Sequence, residues 1–160
     1  MEKDLICYYQ ERNLNCRILN SDEKNSISKI IEQLYVRENA KYGFSLFDML
    51  KCEEMVGVNL FESWSWINEF IQHKIIIVFF DYKVGEYVEL TDGGNFTNFY
   101  DDCPKVEFYM TDRTGSFLLG YNHSHCLFGM GTAADWLEEN DNYKKYYNPQ
   151  LSQQSSSNKV

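Results

Sequence analysis

The sequence has no apolar run long enough to cross or enter a membrane. Its most apolar stretch, residues 75–80, is six residues long, about a third of the length of a membrane-spanning helix. The first residues also lack the apolar segment of a signal peptide, because charged residues interrupt them at once. The sequence therefore predicts a cytoplasmic protein that does not bind a membrane.

Basic residues are also scarce. The chain has 160 residues, with 15 Lys and Arg against 24 Asp and Glu, for a formal net charge of −9. A protein that holds nucleic acid through a broad basic surface needs clustered Lys and Arg, because these side chains neutralise the phosphates. This balance argues against direct nucleic-acid binding and against attachment to an anionic lipid surface.

Paired cysteines are missing as well. The five cysteines are scattered, and no two of them form a C-x-x-C pair. Neither a zinc ribbon nor a disulfide framework is indicated, and reduced thiols are expected. We expect no cofactor and no metal.

The residues that are present predict a packed domain, since 44% of them are apolar. Spacings of three and four residues predict a helix from about residue 21 to about residue 39, with Ser21 as its N-cap, and shorter helices after Ser45 and Asn59. Residues 74–82 read as a strand buried on both faces. Further strands are predicted at 86–90, 105–112, 116–122 and 125–130, and a last helix begins at Thr132.

The order of these elements predicts an α+β fold. N-terminal helices precede a mainly antiparallel sheet with a C-terminal helix, in one compact domain of residues 1–147. In residues 105–112, Glu107, Tyr109 and Thr111 are expected on one face of the strand. Residues 148–160 are rich in Gln and Ser and are predicted to be a disordered tail.

Two motifs near the C-terminal end suggest chemistry. His123 and His125 would face the same way on a strand and present two metal ligands, but a site needs a third ligand that this segment does not supply. The favoured interpretation is that residues 122–124 form a hairpin turn. Cys126 reads as a small buried side chain. Gly129 and Gly131 fit part of a dinucleotide fingerprint without the rest of its βαβ unit, so they predict a tight strand-to-helix turn and close helix packing.

Acidic residues concentrate in residues 81–112, which carry two basic and eight acidic side chains interleaved with aromatic ones. Such a cluster is either a solubilising surface or a site that attracts and binds a basic protein. In the second case, the acids occupy a groove that the partner uses for phosphates, and three tyrosines act as desolvated anchors. The predicted partner-binding residues are Asp81, Tyr82, Glu86, Tyr87, Glu89, Asp92, Tyr100, Asp101 and Asp102.

Several segments between residues 60 and 140 together resemble a group of small bacterial proteins. These segments are residues 107–112, residues 117–123, Gly129-x-Gly131 and Trp136-Leu137. The proteins they resemble are similar to the immunity proteins of contact-dependent and other polymorphic toxin systems. The resemblance implies a non-enzymatic protein that binds a cognate toxin in the cytosol and blocks its active site.

We therefore expect an acidic immunity protein, monomeric or weakly dimeric, for a basic, nuclease-like toxin. Two alternatives stay open: a small metal-dependent hydrolase that uses His123 and His125, and a mobile-element inhibitor of a host nucleic-acid enzyme.

Overall fold

A seven-stranded antiparallel sheet forms the centre of the molecule. The computed structural model describes residues 1–41 and 45–148; the predicted tail lies outside them except for Asn148. The sheet order is β1-β4-β3-β5-β6-β7-β2, and every neighbouring pair is antiparallel. The strands are β1 (Cys16–Ile18), β2 (Val56–Asn59), β3 (Ile76–Phe79), β4 (Val88–Leu90), β5 (Phe108–Thr111), β6 (Phe117–Tyr121) and β7 (Cys126–Gly131).

Helices cover both faces of this sheet. They are α1 (Glu2–Glu11), α2 (Ser21–Tyr35), α3 (Leu46–Met49), α4 (Ile67–Ile71), α5 (Phe96–Asp101), α6 (Thr132–Glu139) and α7 (Asp141–Tyr147), with short 3-10 helices at Cys52–Glu54, Phe61–Trp66 and Gly93–Asn95. No helix within residues 1–41 or 45–148 is long and apolar enough to cross a membrane. The predicted α+β fold is confirmed.

The sheet has a separate hydrophobic core on each face. Along β5, Phe108 and Met110 point into one core while Tyr109 points into the other, as the predicted alternation requires. The first core is covered by α1, α4, α5 and α6, and the second by α2 and α3. The result is three layers, with the strands β3, β5 and β6 buried along their whole length.

The structure places the start and the end of α2 at other residues than those predicted. Its N-cap is Asn20, not Ser21: the Asn20 side chain accepts the N–H of Glu23 at 3.0 Å, and the Glu23 carboxylate accepts the N–H of Asn20 at 3.1 Å. This reciprocal pair satisfies two N–H groups that have no partner within the helix. The helix ends at Tyr35, not near residue 39.

Both edge strands, β1 and β2, are absent from the prediction. The helix expected after Asn59 begins as the 3-10 helix at Phe61 and continues into α4. A further helix, α7, follows the predicted last helix, and its Tyr146 and Tyr147 donate hydrogen bonds to β2.

The two glycines at the β7–α6 junction form a tight turn, as predicted. Gly131 has a φ of 60°, and a Cβ atom there would lie 2.5 Å from the carbonyl oxygen of Ser116. A Cβ atom at Gly129 would lie 2.6 Å from the carbonyl oxygen of Ala133. These contacts confirm that the glycines bring α6 close to the sheet.

Candidate functional site

One end of the sheet collects the loops that carry most of the predicted acidic site. Phe79 at the end of β3 lies opposite Tyr109, and Phe108 at the start of β5 lies opposite Tyr121 at the end of β6. The β3–β4 loop, the segment leading into β5 and the β6–β7 turn therefore meet at the same end. We call this the loop end.

Four of the predicted acids lie exposed at the loop end. Asp81 and Glu86 are in the β3–β4 loop, and Asp101 and Asp102 stand at the C-terminus of α5. The neighbouring residue Tyr100 holds the C-terminus of α5 at the loop end. Its ring centroid lies 4.9 Å from that of Phe108, the first residue of β5. Residues twenty positions apart in sequence are thus brought to one surface.

The structure adds two acids that sequence reasoning missed. The first helix begins at the loop end: Glu2 Oε1 lies so close to Gly85 that a Cβ atom there would be 2.8 Å from it. Burial raises the pKa of the Cys103 thiol, and the nearby charge of Asp4 raises it further. About eighty residues separate Glu2 and Asp4 from the other acids, so no local pattern in the sequence connects them.

A cleft of about 400 Å³ opens on the α2 and α3 side of the loop end. Ser45 and Leu46 line one part of it, and the loop residues 80–84 line another. Glu107 and Tyr109 contribute from β5 and the residue before it. Its volume falls within the range of small-molecule and side-chain pockets.

The carboxylate of Glu107 lines the cleft and is oriented by neighbouring side chains. The Tyr109 hydroxyl donates a hydrogen bond to one carboxylate oxygen, and His123 Nδ1 lies 3.3 Å from the other. The backbone N–H of Phe47 donates to the Tyr109 hydroxyl at 3.1 Å. Burial and the Glu107 charge raise the pKa of Tyr109, so its hydroxyl stays protonated and orients the carboxylate. The predicted strand alternation placed Glu107 and Tyr109 on one face, and this was the feature of the sequence from which their contact could have been inferred. Glu107 was nevertheless not among the predicted site residues.

The β3–β4 loop is held in a defined conformation. Asp81 Oδ1 accepts the N–H groups of Lys83 and Val84, each at 3.0 Å. Lys24 Nζ on α2 donates to the carbonyl oxygen of Gly85 at 2.6 Å. Asp81 and the loop that carries it therefore need little ordering when a partner binds.

The three tyrosines predicted as partner anchors are core residues, so that prediction is wrong. Tyr82 is 7% exposed, and Tyr87 and Tyr100 are fully buried. The Tyr87 hydroxyl donates to the carbonyl oxygen of Tyr82 at 3.0 Å, and that of Tyr100 donates to the carbonyl oxygen of Val106 at 2.6 Å. Tyr87 also stacks on Phe79 with ring centroids 4.2 Å apart. Their hydroxyls are satisfied inside the molecule, which explains why aromatic residues between acids did not mark a surface here.

Two predicted acids also have structural roles. Glu89 is 8% exposed, and its carboxylate pairs with Arg17 Nε at 3.0 Å and Arg113 Nε at 2.6 Å. Asp92 lies at the opposite end of the β3–β4 hairpin, where Oδ1 accepts the N–H of Gly94 at 2.9 Å. Neither residue belongs to the loop end.

The histidines lie in the β6–β7 turn, not on a strand. The second of them, His125, has a φ of 60°, and its Nδ1 lies 3.0 Å from the Tyr121 hydroxyl while its ring packs on Phe61. His123 instead faces Glu107. The two imidazoles thus have different partners and do not form a ligand pair, and residues 122–124 lie in a hairpin turn, which was the other interpretation of this motif. No group of three or more His, Cys, Asp or Glu residues in the described part of the chain is placed to hold a metal ion.

No protein-family model, curated protein or solved structure matches the chain. The similarity to toxin immunity proteins therefore stays a prediction.

Proposed function

We propose that this chain is a non-enzymatic binding protein that receives a basic protein partner at the loop end. The observation that carries the proposal is the cleft, where the oriented carboxylate of Glu107 and that of Asp81 line one cavity. The partner we propose is a basic, nuclease-like toxin domain that the chain neutralises by covering its active site. The toxin would offer a phosphate-binding groove, whose cationic side chains complement this surface.

The charge of the loop end supports a cationic partner. Seven acids gather there: Glu2, Asp4, Asp81, Glu86, Asp101, Asp102 and Glu107. Lys105 offsets part of this charge, because its Nζ lies 4.0 Å from Asp101 Oδ1 as well as donating to the carbonyl oxygen of Tyr100 at 2.6 Å. Lys83 also lines the cleft, but the acids still outnumber the lysines. A surface with an excess of one sign accelerates the approach of an oppositely charged protein and selects against acidic ones.

The cleft has the chemistry to take one cationic side chain of that partner. The Glu107 side chain is only 18% exposed, so an ion pair made there is partly shielded from water and stronger than one at an open surface. A guanidinium group entering the cleft would find two carboxylates and, at Leu46, an apolar contact for its alkyl stem. Val84, which is 82% exposed, supplies an apolar contact outside the core.

The test begins by capturing the partner from lysate of the source cells and identifying it by mass spectrometry. Association kinetics are then measured with the purified partner at low and moderate salt. The double change Asp101→Lys and Asp102→Lys should slow association by at least about tenfold and flatten its salt dependence. Glu107→Gln should mainly speed dissociation, because a shielded charge pair acts on the bound state.

A matched control is available at the other end of the first helix. Glu11 is exposed, and α1 runs from the loop end towards Asp92, whose carbonyl oxygen accepts the Tyr9 hydroxyl. Glu11→Lys should leave association nearly unchanged. If the Asp101, Asp102 and Glu107 variants bind like the wild-type chain, the loop end is not the interface. If the captured protein is a host nucleic-acid enzyme, inhibition of that enzyme replaces toxin neutralisation as the function.

A further inference from the structure

Two tyrosine side chains of the described part of the chain hydrogen-bond to the outer edge of β2. Strand β2 pairs with β7 on its inner side and is the last strand of the sheet. On its outer side, the Tyr147 hydroxyl donates to the carbonyl oxygen of Gly57 at 2.9 Å, and the Tyr146 hydroxyl donates to that of Asn59 at 3.1 Å. Residues 57 and 59 are the alternate positions whose N–H and C=O groups point away from β7. The two tyrosines thus occupy the acceptors that a further strand would use.

The helix that carries these tyrosines is lightly attached. None of the seven residues of α7 is buried, and Tyr146 and Tyr147 are 44% and 58% exposed. Asn140 caps the helix by accepting the N–H groups of Asn142 and Tyr143. Displacing the C-terminal turn of α7 therefore uncovers little apolar surface.

We propose that the β2 edge is a self-association surface and that α7 is the strap that suppresses it. When the hydroxyls of Tyr146 and Tyr147 leave, β2 pairs antiparallel with the β2 of a second copy. The two-fold axis passes between the two Val58 residues, so Gly57 of each copy faces Asn59 of the other. Each of these two pairs exchanges both of its N–H and C=O groups, which gives four hydrogen bonds.

A second copy fits this edge better than the basic partner of the loop end. Residues 55–61 carry no charge, so the pairing strand itself offers nothing to a cationic protein and brings no like charges together within it. The edge also carries Phe61, which is 47% exposed and adjoins the pairing strand. The other edge, β1, has only three residues and carries the ion-paired Arg17, which makes it a poorer pairing strand.

The test replaces both hydroxyls in the full chain, as Tyr146→Phe with Tyr147→Phe. Sedimentation equilibrium over a range of concentrations measures the dimer dissociation constant. Two lost hydrogen bonds to the edge should lower that constant by about tenfold or more relative to the wild-type chain. Tyr8→Phe, on α1, is the matched control and should not change it.

Adding Asn59→Pro to the double variant should return it to a monomer, because proline removes one of the N–H groups that the second strand needs. A double variant with the dissociation constant of the wild-type chain overturns the proposal, and so does self-association that survives Asn59→Pro. Should the proline variant fail to fold, hydrogen exchange in the double variant decides. The amides of Gly57 and Asn59 must become more protected as concentration rises, and concentration-independent exchange overturns the proposal. None of these outcomes depends on the basic partner.

Discussion

Replacing Glu89 with Gln should destabilise the fold while leaving the loop end intact. The Glu89 carboxylate lies in the middle of β4 and links Arg17 of β1 to Arg113 of the β5–β6 turn. Gln keeps the shape of the side chain and removes its charge. A hydrogen bond to a charged group contributes about 1.5–3 kcal/mol. The two guanidinium groups are 46% and 48% exposed and regain water, so we expect a total loss of about 2 kcal/mol in the free energy of unfolding.

Urea unfolding followed by tryptophan fluorescence measures this loss. With an m-value of about 2 kcal/mol/M, the midpoint should fall by about 1 M. Glu86→Gln is the control, because Glu86 is an exposed acid three residues away and its replacement should change stability by less than about 0.5 kcal/mol. Equal midpoints for the two variants would refute the structural role assigned to Glu89.

Three other predictions concern the backbone and the titratable groups. Gly131→Ala should cost about 3 kcal/mol or more in thermal unfolding, since φ is 60° and the new Cβ atom would meet the Ser116 carbonyl oxygen; an unchanged melting temperature would contradict this. The Arg17 guanidinium holds the pKa of Glu23 at about 2, below its ordinary 4.5. This contribution to stability is present above pH 4.5 and lost as the pH falls towards 2, so the acid-induced drop in urea midpoint should be smaller in Glu23→Gln. Burial raises the pKa values of Tyr35 and Tyr121 from 10.0 to about 12; stability should therefore fall as the pH rises from 10 through 12, with phenolate absorbance rising together with unfolding.

The parts of the fold that the sequence predicts best are those where burial forces a strict pattern. Alternation along residues 105–112 correctly separated Phe108 from Tyr109, because both faces of that strand are packed. The edge strands were missed for the opposite reason. Strand β2 has four residues and contains Gly57, so it carries too few side chains to show a period of two.

The site was only partly predictable, because the number of acidic residues in a segment does not show which of their side chains point towards solvent. Asp81 and Asp101 are exposed at the loop end as expected, whereas Glu89 in the same acidic segment turns towards two arginines. The prediction that tyrosines act as surface anchors was wrong for a related reason. When a nearby carbonyl oxygen accepts the hydroxyl hydrogen bond, the whole tyrosine ring can be buried in the core, as that of Tyr100 is. Recognising Glu107 required its contact with Tyr109 and the cleft around it.

The order of strands in the sheet has a consequence for synthesis on the ribosome. The two outermost strands come from the first 59 residues, while the five strands between them lie between residues 76 and 131. The helices α1 and α2 therefore leave the ribosome before any surface exists to cover Leu5 or Ile31, which are fully buried in the finished molecule. The neighbouring strands β5, β6 and β7 form the most local part of the sheet and are suited to form first. The apolar side chains of the N-terminal half therefore stay uncovered until Gly131 has been added. During this interval the nascent chain most needs a chaperone.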